Sequence, residues 1–180
     1  IAIGNNTGHS NQDVSSIAIG SHAGKDSQGS YSIAIGNNAG NNEQKKYSLA
    51  LGNNAGKTSQ GSNSIAIGNS TGEMEQGSTT IAIGYKAGNN KQGPPFGYSI
   101  AIGSHAGKDN QGGYSLAVGH GAAQNSQGQK ALAIGTGAGL VSQGSFSTAI
   151  GLSAGASEQR SYSVAAGAFA GRISQGSYSI

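Results

Sequence analysis

The stretch SQGSYSIAIGNNAG (residues 27–40) recurs with small changes from one end of the 180-residue chain to the other. When the first residue of its IAIG tetrad is counted as position 1, the repeat has sixteen positions. Repetition at a short fixed period is the sequence signature of a solenoid, so this repeat decides the fold. The eleven complete repeats begin at Ile1, Ile17, Ile33, Leu49, Ile65, Ile81, Ile100, Leu116, Leu132, Thr148 and Val164, and Ile180 starts another.

The period is broken at one place. Between Ile81 and Ile100 it is nineteen residues, because Pro94, Pro95 and Phe96 are inserted there. Since the repeat resumes in register on both sides, we expect the insertion in an exposed turn, where extra residues cost little. The inserted residues are a candidate contact loop, and the alternative is a turn variant without a binding role.

The composition excludes several classes of protein. The chain has 33 glycines, no cysteine, no tryptophan and only 9% charged residues, and most of its apolar residues are alanine and isoleucine. These residues do not suit a mixed globular core, and the absence of cysteine rules out a disulfide framework. The net charge of +3 is scattered along the chain, which argues against a nucleic-acid surface. No apolar run approaches the ~18 residues of a membrane span.

Several repeat positions do not vary. Position 2 is alanine, position 4 glycine and position 12 glutamine in all eleven complete repeats, and positions 1 and 3 hold Ile, Leu or Val except at Thr148 and Ala166. Such frequent glycine excludes helices, at ~1 kcal/mol each, and the alternation in Ser-Ile-Ala-Ile-Gly favours a strand. The sequence predicts an all-β fold, a parallel β-solenoid with one coil per repeat. We expect a single domain over residues 1–180, belonging to a longer repetitive rod.

We place one strand at positions 15 to 4 and part of a second at positions 6 to 8, with turns at positions 4 to 5 and 8 to 14. Coils stacked at ~4.8 Å would make a rod on the order of 50 Å long. Like residues then form ladders: an apolar stripe, a glutamine amide ladder and, at position 15, a broken aromatic ladder. Glycine at positions 4 and 8 suits a positive φ. The aromatic ladder comprises Tyr31, Tyr47, Tyr98, Tyr114, Phe146, Tyr162 and Tyr178.

The constant alanine at position 2 carries the prediction of an oligomer. If positions 1 and 3 face the interior of the coil, position 2 faces outward, and only a close neighbouring backbone explains why nothing larger than a methyl group occurs there. The alternative places position 2 inside and leaves an apolar stripe outside, which also requires a cover. The oligomer-contact candidates are Ala2, Ala18, Ala34, Ala50, Ala66, Ala82, Ala101, Ala117, Ala133, Ala149 and Ala165.

Each repeat has an SxAxGxxA core, as in SIAIGNNA of residues 32–39 and SIAIGSHA of residues 99–106. In this core the chain resembles, over nearly its whole length, the head repeats of trimeric autotransporter adhesins, the YadA-like heads. The SQGS segment, as at residues 27–30, makes the repeat longer than the unit of that family. The resemblance implies a left-handed parallel β-roll of three chains that projects from a cell surface and binds host matrix or other cells.

No catalytic, cofactor or metal site is predicted. His22 and His105 share a repeat position but lie five coils apart, too far to share an ion, and no aspartate recurs as in calcium-binding solenoids. The acidic and basic residues fall at positions 6, 9 to 11 and 13 to 15, which we assign to the outer turns. Asn5 and Asn69 begin the sequons NNT and NST and are candidate N-glycosylation sites, although coincidence explains them as well.

We therefore expect a structural repeat protein that forms an extracellular fibre or filament, and not an enzyme. The alternative is an adhesin head or receptor-binding rod on a cell or virion surface, with a matrix or cell-surface ligand. The expected partner is the chain itself, as a trimer or an end-to-end polymer. An ice-binding solenoid is disfavoured, because positions 5 to 7 are too irregular for a flat threonine rank.

Overall fold

The computed structural model describes residues 1–93 and 97–180. The described residues form nineteen short strands and no helix, which confirms the all-β parallel solenoid with one coil per repeat. The larger sheet has eleven parallel strands: β1 (Ala2–Ile3), β3 (Ile17–Ile19), β5 (Ile33–Ile35), β7 (Leu49–Leu51), β8 (Ile65–Ile67), β10 (Ile81–Ile83), β12 (Ile100–Ile102), β14 (Leu116–Val118), β16 (Leu132–Ile134), β18 (Thr148–Ile150) and β19 (Val164–Ala166).

A second face of the solenoid is built from positions 10 to 12. Isolated bridges at Thr58, Ser157 and Ile173 continue this face where no strand is assigned. Its strands form two parallel sheets, one of β2 (Ser10–Gln12), β4 (Asp26–Gln28) and β6 (Asn42–Gln44), and one of β9 (Met74–Gln76), β11 (Asn90–Gln92), β13 (Asp109–Gln111), β15 (Asn125–Gln127) and β17 (Val141–Gln143).

The expected position of the second strand was wrong. Positions 6 to 8 belong to a turn, since residues at position 6 such as Asn6 and His22 have φ values of 50 and 58°. A left-handed backbone at that point bends the chain and cannot continue a strand. Each coil therefore runs as a strand at positions 1 to 3, a turn, a strand at positions 10 to 12 and a second turn.

The inserted residues leave the register of the stack unchanged. Strands β10 and β12 pair Ile81 with Ile100, and β11 and β13 pair Asn90 with Asp109. The predicted contact loop itself, Pro94 to Phe96, lies outside the described residues. The larger sheet thus passes the insertion without interruption.

The interior of each coil is lined by alanine. At positions 2 and 7, alanine is fully buried in most coils, as at Ala18, Ala23, Ala34 and Ala39, each 0% exposed. Positions 1 and 3 point outward and are half-buried or exposed. The interpretation that position 2 contacts another chain is therefore wrong, because its methyl group is enclosed by its own coil. This correction applies to the candidates Ala2, Ala18, Ala34, Ala50, Ala66, Ala82, Ala101, Ala117, Ala133, Ala149 and Ala165; of these only Ala2, in the first coil, is exposed.

Glycine at positions 4 and 8 has the positive φ predicted for it, for two different reasons. At Gly20, φ is +125°, and a Cβ would lie 2.5 Å from the carbonyl oxygen of Gly36 in the next coil. At Gly24, φ is +50°, and a Cβ would lie 2.6 Å from Oε1 of Gln28 inside the same coil. The first glycine permits close stacking of coils, and the second leaves room for the glutamine.

The glutamine at position 12 joins the two faces of every coil. Its Nε2 donates a hydrogen bond to the backbone carbonyl at position 1 of the same coil, over 2.7–3.0 Å. The bond recurs in all eleven described coils, from Gln12 to Ile1, Gln28 to Ile17, Gln44 to Ile33, Gln60 to Leu49, Gln76 to Ile65, Gln92 to Ile81, Gln111 to Ile100, Gln127 to Leu116, Gln143 to Leu132, Gln159 to Thr148 and Gln175 to Val164.

The predicted amide ladder is confirmed in part. Among the described residues, five neighbouring pairs of glutamines are joined by amide hydrogen bonds, such as Gln12 to Gln28 at 3.0 Å and Gln127 to Gln143 at 3.1 Å. Elsewhere, as at Gln60, the buried amide oxygen has no hydrogen-bond partner. The bond across the coil is therefore the more regular of the two.

Serine at position 16 closes the second turn. Ser32, which is fully buried, donates a hydrogen bond through its Oγ to the carbonyl of Gly29, and Ser64 does the same to Gly61. Such a bond satisfies a turn carbonyl that faces the interior. The charged residues all lie outside: in the part of the chain that the structure describes, none of the buried residues is Lys, Arg, Asp or Glu, as predicted. No helix able to cross a membrane occurs in residues 1–93 or 97–180.

Enlarging an interior alanine should destabilise the solenoid strongly. Ala149 is 0% exposed, and a Cβ built on Gly155 would already lie 3.4 Å from its methyl carbon, so Ala149→Leu has no space. We expect the free energy of unfolding to fall by ~1–3 kcal/mol or more. Urea denaturation monitored by circular dichroism measures this change. The control is Ala166→Leu, at an exposed position 3 where other coils carry isoleucine. Equal stability of the two variants would contradict the assignment of position 2 to the interior.

Removing the donor of one glutamine should also destabilise the fold. Gln60→Met keeps the volume of the side chain but leaves the carbonyl of Leu49 without the bond that Gln60 makes at 2.8 Å. Loss of one buried hydrogen bond costs about 0.5–1.5 kcal/mol, to be measured in the same unfolding experiment. Gln129→Met, at an exposed position 14, is the matched control and should have little effect.

Candidate functional site

An apolar strip lies on the outside of the larger sheet. We call the side chains at positions 1 and 3 the outer apolar strip. Most are half-buried, and Leu51, Ile102 and Ile150 are 38–41% exposed. Between the two end coils, the strip is formed by Ile17, Ile19, Ile33, Ile35, Leu49, Leu51, Ile65, Ile67, Ile81, Ile83, Ile100, Ile102, Leu116, Val118, Leu132, Ile134, Thr148 and Ile150.

The strip is narrow and long. Its two ranks are separated by two residues of strand, and the coils repeat at the strand spacing, which gives a footprint on the order of 500 Å². That area is at the upper end of the apolar patches found on soluble monomers. The strip is also free of charge, since positions 1 and 3 carry no ionisable side chain in any repeat.

The predicted aromatic ladder lies at position 15, two residues before each strand of the larger sheet in sequence. Its rings stack in neighbouring coils, as between Tyr31 and Tyr47, whose centroids are 5.3 Å apart. The rings are about half exposed.

The histidines are arranged differently from the expectation. His105 and His120 lie at neighbouring positions of adjacent coils, with ring centroids 6.2 Å apart, and Tyr85 packs edge-on against His105 at 5.2 Å. The comparison of identical repeat positions missed this pair, because His120 occupies position 5 and His105 position 6. Among the described residues, no group of three or more His, Cys, Asp or Glu side chains lies close enough to hold a metal ion.

The pKa of His105 is lowered below its usual value, first by desolvation of the partly enclosed ring and then by the positive charges of Lys108 and Lys86. Asp109 acts in the opposite direction and is itself paired with Lys108 at 3.1 Å. This part of the surface therefore favours a neutral imidazole.

Three Ser–His hydrogen bonds occur among the described residues, one of them between Ser10 and Nδ1 of His9 at 3.1 Å, but they do not form a catalytic arrangement. Ser21 lies 2.9 Å from Nδ1 of His22, and Ser104 lies 2.9 Å from Nδ1 of His105. A nucleophile and its base also need a group that orients the base, which is usually a carboxylate on the second ring nitrogen. In the described part of the chain, the contact on the second nitrogen of His22 is the Asn6 amide at 3.4 Å.

Shallow polar grooves run along the second turn. One of them has a volume of about 530 Å³ and is lined mainly by serine, glutamine and glycine of the SQGS segments, together with Asp13, Lys45 and Lys46. In this groove the Ser30 hydroxyl donates a hydrogen bond to a carboxylate oxygen of Asp13 at 3.4 Å. The lining contains no histidine and no aromatic residue.

The two candidate glycosylation sites are partly accessible. Asn5 and Asn69 are exposed, but Thr71 of the second sequon is fully buried, and its hydroxyl donates a hydrogen bond to the carbonyl of Gly84. Thr7 makes the equivalent bond to Gly20. Glycosylation at these asparagines stays a prediction.

Comparison with family models, with curated proteins and with solved structures finds no match to this chain.

The pKa of His105 can be tested by NMR titration. We expect its ring to titrate below the ordinary histidine range, and Lys86→Gln to raise the midpoint because one positive charge is removed. Lys25→Gln, five coils away, is the control and should leave it unchanged. Since folding lowers this pKa, the contribution of His105 to stability is present above its ordinary pKa and is lost as the pH falls through the folded value. A His105 titration midpoint above the ordinary histidine range would contradict the lowered pKa.

Proposed function

We propose that the chain is a structural module of an extracellular fibre, in which copies of the rod pack side by side through the outer apolar strip. The observation that carries the proposal is that the small apolar residues lie inside each coil and the large ones lie outside. Small alanines fill the interior, whereas the large aliphatic residues, such as Ile33, Ile35 and Leu51, lie outside in two rows that are interrupted at Thr148 and Ala166. A long apolar strip of this kind is typical of a surface that another molecule covers.

The size of the strip agrees with a contact between copies. Two strips facing each other would remove about 1,000 Å² from water, which is the lower limit for a specific interface. Association then needs most of the length of the rod, because a single coil contributes too little. Side-by-side packing of parallel rods uses the length in this way.

Charge also supports the contact. The Lys, Arg, Asp and Glu residues all lie at other repeat positions, so two strips can meet without burying or opposing a charge. The resemblance of the SxAxGxxA core to trimeric adhesin heads supports three chains and a location outside the cell or attached to its surface.

An adhesin head or receptor-binding rod is the second candidate. It is favoured by the contrast between the interior, whose alanine, glycine and glutamine are nearly constant, and the outer turns, whose side chains differ from coil to coil. Position 5, for example, holds Asn37, Tyr85, His120 and Leu152. A constant scaffold with variable outer side chains suits recognition of a matrix or cell-surface ligand. Neither proposal assigns a catalytic reaction to the chain.

Charge placed on the strip should separate the copies. We expect the double variant Ile67→Lys, Ile83→Lys to keep its circular dichroism spectrum but to sediment as a monomer, while the wild-type chain sediments as an oligomer. The control is Asn63→Lys, Thr79→Lys, which adds the same charge at position 15 of the coils that directly precede those of Ile67 and Ile83; Lys130 occupies this position in another repeat. Analytical ultracentrifugation over a range of concentrations gives the masses.

A wild-type chain that remains monomeric at every concentration would contradict the proposal, as would a control variant that dissociates equally. Electron microscopy of the associated material distinguishes the two candidates. Fibrils of constant width support the fibre, and discrete short rods that bind cells or matrix support the adhesin.

A further inference from the structure

The tyrosines of the aromatic ladder are held in close pairs along the rod. Ring centroids are 5.3 Å apart for Tyr31 and Tyr47, 5.2 Å for Tyr98 and Tyr114, and 5.0 Å for Tyr162 and Tyr178, with interplanar angles of 9, 10 and 2°. Phe146 extends the third pair by one ring, 5.0 Å from Tyr162. In the remaining coils position 15 is not aromatic, so the tyrosines occur as three separate phenol pairs.

The backbone fixes these pairs. Each ladder tyrosine has a left-handed backbone conformation, with φ between 54 and 59°, which is uncommon for a bulky side chain. The Tyr47 amide donates a hydrogen bond to the Ser30 carbonyl of the preceding coil at 3.1 Å, and Tyr162 does the same to Ser145. Adjacent rings therefore start from equivalent points one strand spacing apart, and stacking of the rings offsets part of the backbone strain.

The exposure of the pairs determines what they can do. The ladder tyrosines are 50–79% exposed, so their ring edges reach solvent. Within a pair, however, each ring covers one face of its neighbour, which leaves little free face for a stacked ligand. What remains accessible is the edge, with the hydroxyl and the two ortho carbons.

We propose that the three tyrosine pairs are sites of oxidative cross-linking, in which dityrosine joins neighbouring coils of one chain. A one-electron oxidant, such as a peroxidase with hydrogen peroxide, removes an electron and the hydroxyl proton from each phenol and leaves two phenoxyl radicals. An ortho carbon of one ring then bonds to an ortho carbon of the other, and each ring loses its ortho hydrogen and regains a hydroxyl. In sum, two tyrosines lose two hydrogens, and the peroxide becomes two waters.

The chain contains its own internal comparison. Tyr85 is also exposed, at 47%, but it lies at position 5, where the neighbouring coils carry Asn69 and Ser104, and its ring meets His105 edge-on. If cross-linking requires a stacked tyrosine in the neighbouring coil, Tyr85 should form no cross-link within one chain. The cross-links would tie coils that are sixteen residues apart in sequence, and would thus resist unwinding of the rod.

The test is treatment of the folded chain with peroxidase and limiting hydrogen peroxide. We expect dityrosine fluorescence, intact masses lower by two hydrogens for each cross-link up to three cross-links, and proteolytic fragments that join Tyr31 to Tyr47, Tyr98 to Tyr114 and Tyr162 to Tyr178. An equal mixture of unlabelled and nitrogen-15-labelled chains shows whether the joined fragments come from one chain or from two.

The matched variants separate pairing from mere exposure. Tyr47→Phe, Tyr114→Phe and Tyr178→Phe together keep the stacking, as Phe146 does in the native ladder, but leave no phenol pair, and should abolish the joined fragments within one chain. Tyr85→Phe should leave their yield unchanged. Fragments that mix the two isotopes throughout, joined fragments containing Tyr85 in equal yield, or an unchanged yield in the triple variant would overturn the proposal.

Discussion

The structure depends on one hydrogen bond that recurs in every coil, from the glutamine amide at position 12 to the backbone carbonyl at position 1. The bond crosses the interior and joins the two strand faces at a spacing set by the length of one side chain. Gln28 and Gln60, both 0% exposed, illustrate how completely the amide is enclosed. Because the bond is covered, water cannot replace it, and substitution at this position is costly.

The narrow interior determines which residues stand outside. With a glutamine spanning the coil, position 2 holds only alanine, position 7 only alanine or threonine, and position 8 glycine in every complete repeat except that of Ala123. A strand alternates its side chains, so the aliphatic residues at positions 1 and 3 must face outward. The apolar strip is thus a direct consequence of the thin core. The same geometry stacks position 15 at one strand spacing, which brings the ladder tyrosines into contact.

Much of the fold could be predicted from the sequence, because a sixteen-residue period with constant glycine and glutamine permits few structures. The sequence could not decide which side of the strand faces the interior. Alternation of side chains places Ala34 on the side opposite to its neighbours Ile33 and Ile35, but it does not show which side is inside. The usual preference for large apolar residues inside gave the wrong choice. The signal that favours the right one is the glutamine at position 12: a constant polar side chain of that length must cross the interior and leave only methyl-sized space there.

The surfaces were harder to predict than the core for a related reason. Interior positions are repeated in every coil, so each repeat reports the same constraint, whereas His105 and His120 meet only through a one-position offset between two coils. The function of such a rod depends on the side chains that differ between coils and on the rows that equivalent side chains form along it. A single half-exposed isoleucine or tyrosine is ordinary, but stacking at the strand spacing turns rows of them into an interface and into reactive pairs. The stability of the rod and the chemistry of its surface therefore arise from the same periodicity.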